Sequence, residues 1–146
     1  MMINTNNIEK AKRMIKESDE NPIIIIAQDD AFNRKMLEYG KFDIILGIEK
    51  GNRKNSLRHI DSGFNHVLAR AAEKNGIALG IDIDEIKKLQ KKEMPQMLEK
   101  IRQNIKICRK SGVKMKLINF KDKKDAFALL ETLGASSKQA KEAISF

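Results

Sequence analysis

The sequence predicts an α/β fold built on an open parallel sheet, and three observations carry that prediction. Short runs of consecutive β-branched or aliphatic residues recur along the chain, as in Ile23-Ile24-Ile25-Ile26-Ala27 and Ile44-Ile45-Leu46. Apolar residues at consecutive positions suit strands buried on both faces, as parallel sheets require. The segments between these runs carry apolar residues at helical spacing, and alternating strands and helices imply right-handed crossovers. The chain has 146 residues, whereas a closed eight-stranded barrel needs about 200 or more. One domain over residues 1–146 is therefore expected, with a sheet that does not close.

Taken in order, a first helix is expected over residues 7–18, where Ile8, Ala11 and Ile15 share a face and Lys10, Lys12 and Lys16 face out. Pro22 opens the first strand, 23–27. Asp29 or Asp30 can cap a helix that reaches Tyr39 and stops at Gly40. Residues 44–48 form the second strand. Residues 49–61 have no apolar periodicity and read as a polar, basic loop. Ser62 or Asp61 then caps a helix through Val67, Leu68, Ala71 and Ala72, which Asn75-Gly76 stops. Residues 77–83 form the third strand, and Asp84 starts a short helix. A longer helix runs from Met94 to Gly112 with Pro95 in its first turn. Its apolar stripe is Met94, Leu98, Ile101, Ile105 and Cys108. Residues 113–119 form the fourth strand. Asp122 caps a helix bearing Phe127, Leu129, Leu130 and Leu133, and Gly134 stops it. Ser136 and Gln139 have capping-box spacing for a last helix over 137–145.

Composition narrows the function. Lys and Arg number 29 against 20 Asp and Glu, a formal charge of +9. Many lysines sit beside glutamates on solvated helix faces, as in Glu85-Ile86-Lys87-Lys88, but the excess also favours a polyanionic partner, since each neutralised phosphate releases counterions. Nucleic acid is the better candidate than an anionic membrane. The longest apolar run, 23–27, is far short of the roughly 20 residues that span a bilayer. Residues 1–5 show no basic stretch followed by an apolar one, so no signal peptide is expected. Cys108, the only cysteine, can form no internal disulfide and reads as a buried small residue. A cytoplasmic location is expected.

Acids placed after strands are candidates for catalysis. Asp29 and Asp30, Glu49, and Asp82 with Asp84 could gather a divalent metal, with His59 beside them, in a metal-dependent phosphoesterase or nuclease of PHP-like type. The competing reading is that such acids cap helices. With two histidines in the chain, a protein metal site is not expected. No Gly-x-Ser-x-Gly elbow and no phosphate loop ending in Gly-Lys-Ser or Gly-Lys-Thr occurs.

Residues 50–74 stand apart. Lys50, Arg53, Lys54, Arg58 and His59 crowd one loop, and Arg70 and Lys74, four apart, share a helix face. The backbone N–H groups near Ser62-Gly63 are expected to face an anion at a helix start. Few aromatics are nearby, apart from Phe64, which is expected to hold the helix to the core. Such a surface would read backbone and shape, as folded RNA requires.

The stretch Asn55-Ser56-Leu57-Arg58-His59-Ile60-Asp61-Ser62-Gly63-Phe64-Asn65-His66-Val67-Leu68-Ala69-Arg70 resembles the signature of protein component 3 of archaeal ribonuclease P, homologous to the thirty-kilodalton subunit of the eukaryotic enzyme. The family core is Ser-Gly-Leu-Asn-His-Val-Leu, and Phe64 stands here at the leucine. Residues 72–80, Ala-Glu-Lys-Asn-Gly-Ile-Ala-Leu-Gly, resemble the family's Lys-Asn-x-x-Ala-Ile-Gly strand. Residues 104–112 and 129–145 resemble its later helices. The chain reads as a shortened form, without the family's first strand–helix units and its C-terminal strand.

The resemblance implies a TIM-barrel-like (PHP-like) fold, here an incomplete barrel. It implies a noncatalytic, RNA-binding subunit that supports a catalytic RNA in removing 5′ leaders from precursor tRNA. The expected partners are ribonuclease P RNA, precursor tRNA and other protein subunits, above all protein component 2. No cofactor is expected on the protein, and Mg²⁺ is expected at the RNA. Arg53, Lys54, Arg58 and Arg70, with Lys74 and His66, are the expected phosphate contacts. Ser62, Gly63, Asn65 and Gly76 are expected to be structural. An incomplete barrel leaves sheet edges, so a partner chain or an N-terminal segment is expected to cover one.

Overall fold

The computed structural model describes residues 1–51 and 61–145. Chain order among them is β1 (Met2–Ile3), α1 (Ile8–Glu17), β2 (Ile24–Ile26), α2 (Asp30–Tyr39), β3 (Ile44–Leu46), a single 3-10 turn (Ile48–Lys50), α3 (His66–Lys74), β4 (Ala78–Asp82), α4 (Ile83–Lys87), α5 (Met94–Ser111), β5 (Met115–Ile118), α6 (Lys123–Thr132) and α7 (Ser137–Ile144).

Local chemistry sets most of the helix starts. Asn7, Asp29, Asp82, Asp122 and Ser136 each accept a hydrogen bond from a backbone N–H in the first turn of the helix that follows. Each such cap satisfies a donor that the helix itself cannot. Ser136 and Gln139 form the expected capping box. The short helix after β4 is capped by Asp82, and Asp84 lies in its first turn. The acid closest to the strand end captures the free N–H groups first.

The strands form one parallel five-stranded sheet, ordered β1-β2-β3-β4-β5, among the described residues. Sequence periodicity predicts four. The fifth, β1, is two residues long and pairs through Met2↔Ile24 and Ile3↔Ile25. Two residues carry no period, so only the pairing reveals the strand. The N-terminal segment thus flanks β2 at one edge.

Sequential order with right-handed crossovers places the helices on one side of the sheet. Ile25, Ile45, Leu79, Ile81, Met115 and Leu117 point to that side and join Ala11, Met36, Leu68, Ile101, Ile105 and Ala140 in the main core. Burying an Ile or Leu side chain stabilises by roughly 1.5–3 kcal/mol, which makes this layer the main source of stability. The other face carries a smaller cluster from the strands alone: Ile24, Ile44, Leu46, Ala78 and Ile118, with Ile26 packed against it. The period of two sorts each strand between the faces, so a run of isoleucines serves both.

Two contacts fix the helical layer. Asn75, at the end of α3, donates its side-chain N–H to the Leu37 carbonyl at 2.7 Å. Gly40, which ends α2 with φ 71°, lets that side chain approach, because a Cβ there would lie 2.9 Å from Asn75 Cγ. Cys108 is buried, and burial pushes its thiol up to about 12, so it serves as packing.

Candidate nucleic-acid interface

The residues that carry the motif build the entry to α3. Asp61 Oδ1 accepts from the Gly63 N–H at 3.0 Å, closing a tight turn. Gly63 has φ 81°, a backbone that glycine adopts without a Cβ clash. Ser62 is buried and its hydroxyl donates to the Phe64 carbonyl at 3.4 Å. Phe64 is buried in the main core and anchors the segment there. Asn65 caps the helix, its Oδ1 accepting from the Leu68 N–H at 2.9 Å.

This corrects the expected cap. The helix starts at His66 under Asn65, not at Ser62 or Asp61. The Gly63 N–H that an anion was expected to meet is taken by Asp61. Ser62, Gly63 and Asn65 thus make the contacts of the turn that leads into α3, and Gly76 follows α3 at φ 67°. Gly63 and Phe64 together turn the chain so that α3 lies on the sheet with one face outward.

That outward face carries His66, Arg70 and Lys74, all exposed and spaced four apart. His66 and Arg70 line a cleft of about 310 Å³ with Glu73 and with Lys110 and Ser111 at the end of α5. Lys74 lies a turn farther along α3, outside the cleft lining. Among the described residues neither Arg70 nor Lys110 is held in an ion pair. The neighbouring Arg109 is used structurally, its guanidinium donating to the Gly134 carbonyl at 2.6 Å. Lys110 is a part of this surface that the motif does not mark. In the sequence it lies forty positions from Arg70, in the stretch 104–112 that resembles a later helix of the same family. Arg53, Lys54, Arg58 and His59 lie outside the described residues.

Two of the acids considered for metal chemistry cap helices. Asp29 caps α2, accepting from the Phe32 N–H at 2.8 Å. Asp82 caps α4 and also accepts from the Asn119 amide at 3.0 Å. Asp30 lies in the first turn of α2. Among the described residues no group of three or more His, Cys, Asp or Glu is placed to hold a metal ion. Glu49 is the exception in environment. It follows β3, is 3% exposed, and its Oε2 has no hydrogen-bond partner. Burial pushes its carboxyl from 4.5 to about 7, against the pull of its own backbone N–H and of Lys50 and Lys100. Lys50 itself pairs with Glu85 at 2.8 Å, and this holds the Glu85 carboxyl below its ordinary range.

Fold and surface together define a class: an open-sheet parallel α/β protein with a basic helical face. The particular relatives are these. The chain is 28% identical over 130 residues to ribonuclease P protein component 3 of Methanosarcina acetivorans, covering 84% of this chain and 51% of that protein. It is 26% identical over 135 residues to the same component of Methanosarcina mazei, covering 88% and 53%. For Methanococcus maripaludis strain C7 the figures are 24% over 110 residues, 74% and 44%. The chain is thus similar to archaeal ribonuclease P protein component 3, and it spans about half the length of the curated relatives it matches. No family model matches the chain. In structure it superposes with a TM-score of 0.81 on a chain of a cryo-EM structure of archaeal ribonuclease P with mature tRNA, at 23% identity, covering 97% of this chain and 62% of that one. That likeness establishes the α/β fold expected from the sequence. No helix among the described residues is long and apolar enough to cross a membrane.

Proposed function

We propose that this chain is a noncatalytic, RNA-binding protein subunit of ribonuclease P, which supports the catalytic RNA in removing 5′ leaders from precursor tRNA. The observation that carries the reading is the sequence similarity to ribonuclease P protein component 3 over most of this chain. The exposed basic face of α3 supports it, because phosphate contacts need cations that the fold does not already use. The partners are ribonuclease P RNA, precursor tRNA and the other protein subunits, protein component 2 among them, in the cytoplasm. Mg²⁺ acts at the RNA, and the hydrolytic step belongs to the RNA rather than to this chain.

RNA binding tests the reading. The protein is expected to bind in vitro transcribed archaeal ribonuclease P RNA with an affinity that falls steeply as salt rises. Each lost phosphate contact flattens the slope against log salt by about 0.9, or about 0.7 on single strands. Arg53→Ala and Arg58→Ala should each flatten it by such a step. An unchanged slope in both variants would remove the loop from the interface.

A further inference from the structure

We infer that the cleft between α3 and the end of α5 is a phosphate-binding clamp for the RNA backbone, with Lys110 and Arg70 as its two arms. The inference rests on the reading above and extends it to the end of α5, outside the signature over residues 55–70.

Four observations support it. The first is convergence: His66 and Arg70 reach the cleft from α3, and Lys110 and Ser111 reach it from α5. Two cations and a hydroxyl from two packed helices meet at one place, although their chain positions are far apart. The second is size, since a cleft of about 310 Å³ admits a phosphate with its sugar but is small for a folded peptide element. The third is availability. Arg70 and Lys110 are exposed and, among the described residues, neither is held in an ion pair. Arg109, one position away, is committed to the Gly134 carbonyl. The helix end thus spends one cation on the fold and turns the other toward α3. The fourth is rigidity. Leu68, Ala69 and Ala72 of α3 and Ile101, Ile105 and Cys108 of α5 are buried in the same core, so both arms stand on packed helices. The backbone positions of the two arms are therefore fixed before an anion binds, and only the side chains are ordered by it.

Glu73 is the one acid among the described residues that line the cleft. Its charge opposes an anion there and offsets part of the attraction, and this gives the clamp a signature of opposite sign. Removing Lys110 or Arg70 should weaken RNA binding, while neutralising Glu73 should strengthen it. A helix face that is merely solvated predicts neither.

The test compares wild type with Lys110→Ala, Lys110→Arg, Arg70→Ala, the double alanine variant and Glu73→Gln. Lys35→Ala, on the exposed face of α2, serves as the control. The probe is in vitro transcribed archaeal ribonuclease P RNA, titrated across a salt series. Circular dichroism and the thermal midpoint check that each exposed substitution leaves the fold intact. Lys110→Ala and Arg70→Ala should each weaken binding several-fold and flatten the salt slope by about 0.9. Lys110→Arg should keep the slope, and Glu73→Gln should tighten binding. The double variant should cost less than the two singles combined, because both arms hold one phosphate. If the wild type binds steeply but Lys110→Ala matches the Lys35→Ala control, the clamp is wrong and the RNA-binding reading stands. If the wild type does not bind the RNA at all, both fall together.

Discussion

Glu49→Gln is expected to leave stability nearly unchanged near pH 4 and to raise it by about 3 kcal/mol near pH 8. The cause is a carboxyl that burial holds at about 7 instead of 4.5. Below about pH 4.5 the group is protonated in both the folded and the unfolded chain. Between 4.5 and about 7 the unfolded chain releases the proton while the folded chain keeps it, so stability falls as pH rises. Above about 7 the folded protein holds an ionised carboxylate whose Oε2 has no partner, and the loss is complete. Glutamine keeps the shape and cannot ionise. Urea unfolding of both proteins at the two pH values measures the effect. An equal difference at both would show that Glu49 is not held neutral by its surroundings.

Gly80→Val should lower stability by about 2–3 kcal/mol, the usual cost of forcing extra atoms into a packed layer. Gly80 pairs with Leu46 on one side and Lys116 on the other. A Cβ at this position would lie 2.7 Å from Ile44 Cγ2, 2.9 Å from Leu46 Cδ1 and 3.3 Å from the Ile45 carbonyl oxygen. The two side chains fold over β4 because no side chain stands there. Shifting them would open the small cluster of Ile24, Ile44, Leu46, Ala78 and Ile118. The thermal midpoint should fall by about 5–10 °C for a chain of this size. Gly76→Ala is the comparison. Its added Cβ meets nothing within 4 Å, so only the strain of φ 67° remains, about 1 kcal/mol. A midpoint as high for Gly80→Val as for Gly76→Ala would mean that the face beyond the helices contributes nothing to the fold.

The parts of this structure that were legible in the sequence are those fixed by neighbours in the chain. Asp122 and Ser136 announce their helices because a cap and the N–H it satisfies lie within a few residues. The isoleucine runs announce β2 and β3 because burial on both faces leaves no polar position. Where several residues could do one job, the sequence stops short. Asp61, Ser62 and Asn65 are all cap formers, and only the turn closed by Asp61 on Gly63 assigns the cap to Asn65. β1 is invisible because two residues have no period and its pairing is with residues more than twenty positions away. The basic surface divides in the same way. His66, Arg70 and Lys74 are legible at helical spacing, whereas Lys110 joins them only through the packing of α3 on α5. The acids after strands illustrate the reverse case. Their positions suggest chemistry, and their hydrogen bonds show Asp29 and Asp82 to be caps.

The proposed role of this chain is to serve a catalytic RNA. Its most direct test is precursor-tRNA cleavage in a mixture reconstituted from archaeal ribonuclease P RNA, Mg²⁺ and the protein subunits, with this chain present or omitted. Full 5′-leader removal is expected with the chain, a clear drop in rate without it, and no cleavage by the chain alone. Cleavage by the protein without RNA, or an unchanged rate when it is left out, would contradict this role.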